Sequence, residues 1–310
     1  MKTILIAVTI NLAAITASFG QFGQPPAGPS KQVKVEDAII VKERTLLVVR
    51  TENSAFNNKI EDLVKRYWKF NKNIEFVSEA KLEQSLAGNE NKFCLLTIQD
   101  ILITEFLNNT TFQNEYLRFA LNLGEEAGKK KPLFHQNIAF KEDDRKIKKV
   151  NVFKNGTLDL EKKEILFALD FLQNHLMARA EGKTRMTFYY EPIENTGKLA
   201  GKTLLIARND MDKNVNEQLI RDNYPYAFKI VDSAEIEKAY LQRSKEFAFV
   251  EIAPLGYSRG GMLHYIVNCE DGQTLSLGEL YNGFGDSFSN LVNKDHLKAY
   301  VKNANRKGKK

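Results

Sequence analysis

The chain has 310 residues, a formal net charge of +6, 43% hydrophobic residues and two cysteines. That length suits about two domains. The mixed charges and ordinary apolar content exclude a chain that needs metal or disulfide staples to hold its core.

The N-terminus reads as an export signal. Lys2 supplies the positive start, residues 4–17 are apolar apart from Thr and Asn, and Ser18 and Gly20 stand third and first before Gln21. Signal peptidase accepts that pattern. The apolar run is shorter than the roughly 20 residues a membrane span needs, and no later stretch is long and apolar enough to span. The expectation is a signal peptide over 1–20 and an exported protein, periplasmic or extracellular, with no transmembrane segment in the mature chain. Residues 21–32 open with QFGQPPAGPS. Pro and Gly there leave nothing to bury, so the segment reads as a disordered linker.

Apolar residues close to alternation predict a leading strand over 33–41. Leu46 to Val49 is a nearly continuous branched run, the sign of a strand covered on both faces. Asn53, Ser54, Asn57 and Asn58 can cap a following helix. On that helix Ile60, Leu63, Val64, Tyr67 and Trp68 form one stripe. Strands over 74–77 and 93–98 enclose a short helix over 78–86 that stops at Gly88. Residues 116–123 and 133–140 look like an antiparallel pair. Residues 158–180 read as a long closing helix with Ile165, Leu169, Leu172 and Leu176 on one face. Strands and helices that alternate with short connections mean parallel pairing, because parallel neighbours need crossovers.

The same order returns. Thr45-Leu46-Leu47-Val48-Val49 answers to Thr203-Leu204-Leu205-Ile206-Ala207, and Ile74 to Ser78 answers to Phe228 to Asp232. Ala80, Leu82 and Glu83 answer to Ala234, Ile236 and Glu237, and Phe93 to Leu96 to Phe247 to Val250. A last match sets Leu117, Phe119 and Asn122 against Leu263, Tyr265 and Asn268. The chain therefore reads as α/β, two similar domains from a tandem duplication. Each is a βαβαβ unit followed by an antiparallel strand pair and a closing helix, with its own hydrophobic interior. The boundaries are 33–182 for the first domain, 183–202 for the connection, 203–303 for the second domain and 304–310 for a basic tail. In element order alone, each half resembles the small mixed α/β domains at the front of exported TolB-like proteins, which implies a fold and no site residue.

Candidate chemistry is sparse. Gly256-Tyr257-Ser258-Arg259-Gly260 fits the G-x-S-x-G elbow of a serine hydrolase, with Asp271 or Asp286 and then His296 following in triad order. The elbow belongs between a strand and a helix, however, and the predicted element after it is a strand. Residues 209–214 begin like a calcium loop, but Val215 stands where Gly is needed and Arg221 where a bidentate carboxylate is needed. The four histidines, His135, His175, His264 and His296, show no metal-ligand spacing, and no glycine-rich phosphate loop follows either first strand. No metal and no cofactor is expected. Cys94 and Cys269 read as two separate buried residues. Asn122 and Asn268, matched between the halves, suggest a side-chain bond to backbone at an edge or turn.

Five cations, Lys302, Arg306, Lys307, Lys309 and Lys310, stand in the last nine residues, and without them the body is near neutral. No aromatic residues interleave with them, which speaks against nucleic acid. The tail is a solvated end or a contact to an acidic surface. The expectation is a non-catalytic binding or interaction protein whose partner, an envelope protein or a small ligand, sits between or beside the halves near Tyr189, Tyr190 and Tyr257. The alternatives are a hydrolase acting through Ser258 and a structural subunit of a cell-envelope assembly.

Overall fold

The computed structural model describes residues 33–107, 110–127, 132–140, 153–154, 157–183, 197–254, 262–278 and 291–305. Two five-stranded mixed sheets share one topology, ordered β2-β1-β3-β4-β5 in the first and β12-β11-β10-β8-β9 in the second. In the first half β1 (Thr45–Arg50) lies parallel to β2 (Ile74–Ser78) and β3 (Phe93–Leu107), while β4 (Thr110–Leu123) and β5 (Phe134–Phe140) run antiparallel. In the second, β8 (Thr203–Ala207) lies parallel to β9 (Phe228–Val231) and β10 (Phe247–Pro254), with β11 (Met262–Asn268) and β12 (Thr274–Gly278) antiparallel. Among the described residues, β6 (Phe153–Lys154) and β7 (Thr157–Leu158) pair only with each other.

The duplication extends to register. Leu46 pairs with Ile74 and Cys94, and its counterpart Leu204 pairs with Phe228 and Ala248. The last sequence match is out by one residue. Cys94 pairs with Leu123 but Ala248 pairs with Asn268, so the structural counterpart of Asn268 is Leu123 and that of Phe119 is His264. A one-residue slip moves every side chain to the other face, which is why similar residues were matched across opposite faces. Each Asn still ties down the end of its strand. Asn122 Nδ2 donates to Glu126 O (3.4 Å), and Asn268 Nδ2 donates to Asp271 Oδ1 (2.8 Å).

Residues 33–41 correct the expected strand: α1 (Val35–Glu43) is a helix. Val33, Ala38 and Val41 are buried while Ile39 and Ile40 are exposed, so the buried positions follow helical rather than alternating spacing. Helix α2 (Ser54–Tyr67) forms as its stripe predicts, with Asn53 Oδ1 accepting from Phe56 N at 3.0 Å. Helix α3 (Glu79–Leu86) lies over Leu47, Val77 and Leu95 on the outer face of the first sheet. The inner face, from Leu46, Val48 and Leu96, packs on α1, α2 and α4 (Lys162–Ala180). The second sheet repeats this. Helix α6 (Ser233–Leu241) covers its Leu205 face, while α5 (Glu217–Asn223) and α7 (Lys294–Ala304) cover its Leu204 face.

The halves differ from the expectation of separate interiors. One core cluster runs from Leu46, Phe56 and Phe119 through α4 to Phe249, Tyr265 and Val267. Helix α4 is buried on nearly every side over its central turns, including Lys163 and Asp170 as well as Ile165, Leu169, Leu172 and Leu176, with Met177 exposed near its end. It closes the first half and roofs the second at once. Cys94 and Cys269 are both free and buried in this cluster, and burial pushes each thiol up to about 12.

Among the described residues, two ion pairs cross the junction. Lys163 Nζ meets Glu251 Oε2 at 3.2 Å, each side chain 4% exposed. Asp170 accepts from Arg243 Nη1 (2.6 Å) and Nη2 (2.9 Å), from Tyr240 OH (2.5 Å) and from Gln173 Nε2 (2.8 Å). Arg243 has φ +54, a strained value for a residue with a side chain. A Cβ on Gly272 would fall 2.3 Å from Asp170 Oδ2, so that turn needs glycine both for its φ of +70 and for the space.

Breaking a buried pair by removing one partner costs about 3–5 kcal/mol. Asp170→Ala and Arg243→Ala are each expected to lower the urea midpoint accordingly at unchanged m, with the double variant losing less than the sum. Because one core spans both halves, Trp68 fluorescence and far-UV circular dichroism should trace the same single transition. Two separated transitions would contradict the shared core.

Candidate functional site

Ser258, Tyr257, Asp286, Tyr189 and Tyr190 lie outside the described residues. Asp271 and His296 lie within them and are not brought together. Asp271 sits in the turn after Asn268, where its Oδ1 accepts from Asn268 Nδ2 and Gln273 N. His296 stacks on His264 at 3.8 Å with the rings 9° apart. His264 pairs with Ile252 and Asn268 with Ala248, four positions apart on one strand and hence about 13 Å.

The His264–His296 pair is the cluster that sequence reading missed, because only the fold joins β11 to α7. His264 is fully buried, occupies the register position of Phe119, and shares a 2.7 Å hydrogen bond between its Nδ1 and Tyr300 OH. His296 is buried at the start of α7, where its Nδ1 accepts from Asn293 N at 3.4 Å and its own N donates to Asn293 Oδ1. Burial pushes the His296 imidazole down to about 4, with Asp295 opposing weakly. A ring that stays neutral, stacked and tied into a helix cap performs a packing role.

The calcium-like segment is likewise a helix entrance. Asp212 Oδ1 accepts from Asn214 N, Asn216 Oδ1 caps α5 through Leu219 N, and Asp210 O accepts from Val292 N. Among the described residues, no grouping of three or more His, Cys, Asp or Glu side chains is placed to hold a metal ion. No helix there is long and apolar enough to cross a membrane. The junction between the sheets is filled by α4. A shallow groove on the outer face of the second half is lined by Asn216, Leu219, Asp222, Asn223, Lys294 and Lys298.

The feature with no counterpart in the duplication is the β3–β4 hairpin. In the second half the described ladder reaches Pro254↔Met262, the register equivalent of Asp100↔Leu117, and only seven residues separate that pair in sequence against 16 in the first half. In the first it continues through seven further pairs, Ile101↔Tyr116 to Leu107↔Thr110. That adds an arm of about 23 Å. Among the described residues the arm is two-stranded for nearly all its length. Strand β5 pairs with β4 only from Leu121↔Phe134 to Tyr116↔Phe140, and β1 pairs with β3 only as far as Val48↔Leu96. At its base Arg118, across from Gln99 in the ladder, donates to Gln99 Oε1 through Nε (3.1 Å) and Nη2 (2.8 Å). The backbone donors and acceptors on the outer edges of such an arm are open to another strand.

Compared with known proteins, the chain matches no family model, no curated protein and no solved structure.

The buried imidazoles set a pH dependence. Burial pushes His175, like His296, down to about 4. Unfolding returns each to an ordinary value near 6.5, so the stability from a neutral ring is complete above pH 6.5 and is lost as pH falls towards 4. Each histidine should contribute a slope of about 1.4 kcal/mol per pH unit in that window. Thermal melts from pH 7 to pH 4 check this, and His175→Phe should flatten the slope.

Proposed function

We propose that the chain is an exported, non-catalytic interaction protein that engages its partner by strand pairing along the β3–β4 arm. The observation that carries this reading is the arm itself, seven residue pairs beyond the register position that Pro254↔Met262 occupies in the described ladder of the sister half. Strand addition to an exposed edge takes affinity from main-chain hydrogen bonds and specificity from alternate side chains. Two further features support a role without catalysis. His296 is packed rather than poised, and Asp271 belongs to a different end of the sheet.

The test is photocrosslinking in cells, with a photoreactive residue placed at Phe106 or Phe112 on the arm and at Lys213 as an off-arm control. Adducts at the arm positions alone are expected. Equal labelling at Lys213, or none on the arm, would sink the reading. Covalent labelling of Ser258 by a fluorophosphonate would replace it with the hydrolase.

A second reading has its own observation. Lys294, Lys298 and Lys302 are exposed at one-turn spacing along α7, make no ion pair among the described residues, and lead into the basic tail. An acidic surface in an envelope assembly would fit this stripe. Binding of that kind should weaken several-fold between 50 and 200 mM salt and on deletion of residues 302–310. Salt-insensitive, tail-independent behaviour would exclude it.

A further inference from the structure

Resting on that reading of the arm, we infer that its partner is a second copy of this chain, joined about a two-fold axis by antiparallel pairing of the two β3 edges. Among the described residues, no strand pairs with the β1-facing edge of β3 from Thr97, where β1 has left the ladder, to Leu107. Its midpoint is Leu102. An antiparallel pair about a two-fold at Leu102 sets residue 102+k against residue 102−k.

The sequence of this edge is TIQDILITEFL. Folded about Leu102, Ile101 meets Ile103 and Ile98 meets Phe106, while Leu102 meets its own copy. The polar residues also meet each other, Asp100 opposite Thr104 and Gln99 opposite Glu105. No carboxylate opposes a carboxylate, and only the end pair, Thr97 with Leu107, sets polar against apolar. Direct cross-strand neighbours carry most of the side-chain energy of a sheet. A polar and apolar pattern with mirror symmetry is what self-pairing requires and what pairing with an unrelated strand does not.

A second observation agrees. Natural proteins blunt open edges with Lys, Pro, bulges or inward charges. Between Lys92 and Arg118 this chain has no lysine, arginine, proline or glycine, although it carries 45 Lys and Arg in all. The β3–β4 ladder also runs without a register shift along its whole length. The edge is left unguarded where self-association would use it.

The experiment uses the full mature chain. Sedimentation velocity across a hundred-fold concentration range should show a monomer–dimer equilibrium. Leu102→Lys, which sets two ammonium groups against each other on the axis, should weaken it at least ten-fold. Circular dichroism and melting should confirm that this variant folds. Leu102→Cys supplies a positive arm. Directly opposed residues lie about 4.5–5.5 Å apart at Cα, within disulfide reach, so mild oxidation should give a covalent dimer, with Cys94 and Cys269 buried and silent. Phe106→Cys alone should not crosslink, but Phe106→Cys mixed with Ile98→Cys should. A chain monomeric throughout, or a dimer indifferent to Leu102→Lys and without the Leu102→Cys crosslink, overturns the inference. Arm-specific photoadducts to a different protein would in that case still uphold the arm as an interaction surface, so the two failures are distinguishable.

Discussion

Everything in this fold turns on the burial of α4 between two sheets. At 100° per residue, Lys163, Phe167, Asp170 and Asn174 make one stripe, and Ile165, Leu169, Leu172 and Leu176 make the opposite one. The first stripe reaches the second half through Glu251, Tyr265, Arg243 and the backbone of Asp271. Apolar packing would hold a helix between two sheets but would leave its rotation and slide weakly fixed. Two buried charges two turns apart, each with its own partner, fix both. Asp170 is the more demanding of the two, since burial alone drives its carboxyl pKa upward and four donors oppose that drive. The strained φ of Arg243 and the glycine at 272 fit the requirement that a guanidinium and a bare backbone both approach this carboxylate.

The halves stack in the same sense. The α6 face of the second sheet corresponds to the α3 face of the first, and α4 lies against it. So the second half gains a roof that the first half lacks, which is how solenoid repeats share surfaces with their neighbours. Duplication followed by stacking explains why α4 is buried on nearly every side while its counterpart α7, at the outer end, keeps an exposed lysine edge.

Much of this was legible in the sequence, for physical reasons. Central strands such as 46–49 and 204–207 are covered on both faces and therefore read as unbroken apolar runs, and the repeat placed them in order. The stripe on α2 was clear because only one face of that helix is buried. The same logic hides α4, where Ile165, Leu169, Leu172 and Leu176 read as a single apolar face although the stripe opposite is buried too. Helix α1 was misread because Val35, Ile39 and Ile40 mimic alternation while Ala38 and Val41 carry the burial. Asn122 and Asn268 were matched by type, although register sets Leu123 against Asn268. The proximity of His264 and His296 has no local signature, since 32 residues separate them and only β11 and α7 packing joins them.

The arm was invisible for a different reason: the second half offers nothing to align with it. Its energetics also differ from those of the core. Residues 101–107 and 110–115 form a two-stranded ladder, and ordering a residue costs about 1–2 kcal/mol of conformational entropy. A ladder hydrogen bond returns only about 0.5–1.5 kcal/mol net, so a hairpin without a third strand is marginal in water. A third strand alters the balance, because every outward amide and carbonyl then gains a partner and the cross-strand side chains gain neighbours. The arm is thus the segment of this fold whose order is most sensitive to what binds beside it. A mirror-symmetric edge suits another copy of the same arm, since only its end pair, Thr97 with Leu107, then sets polar against apolar.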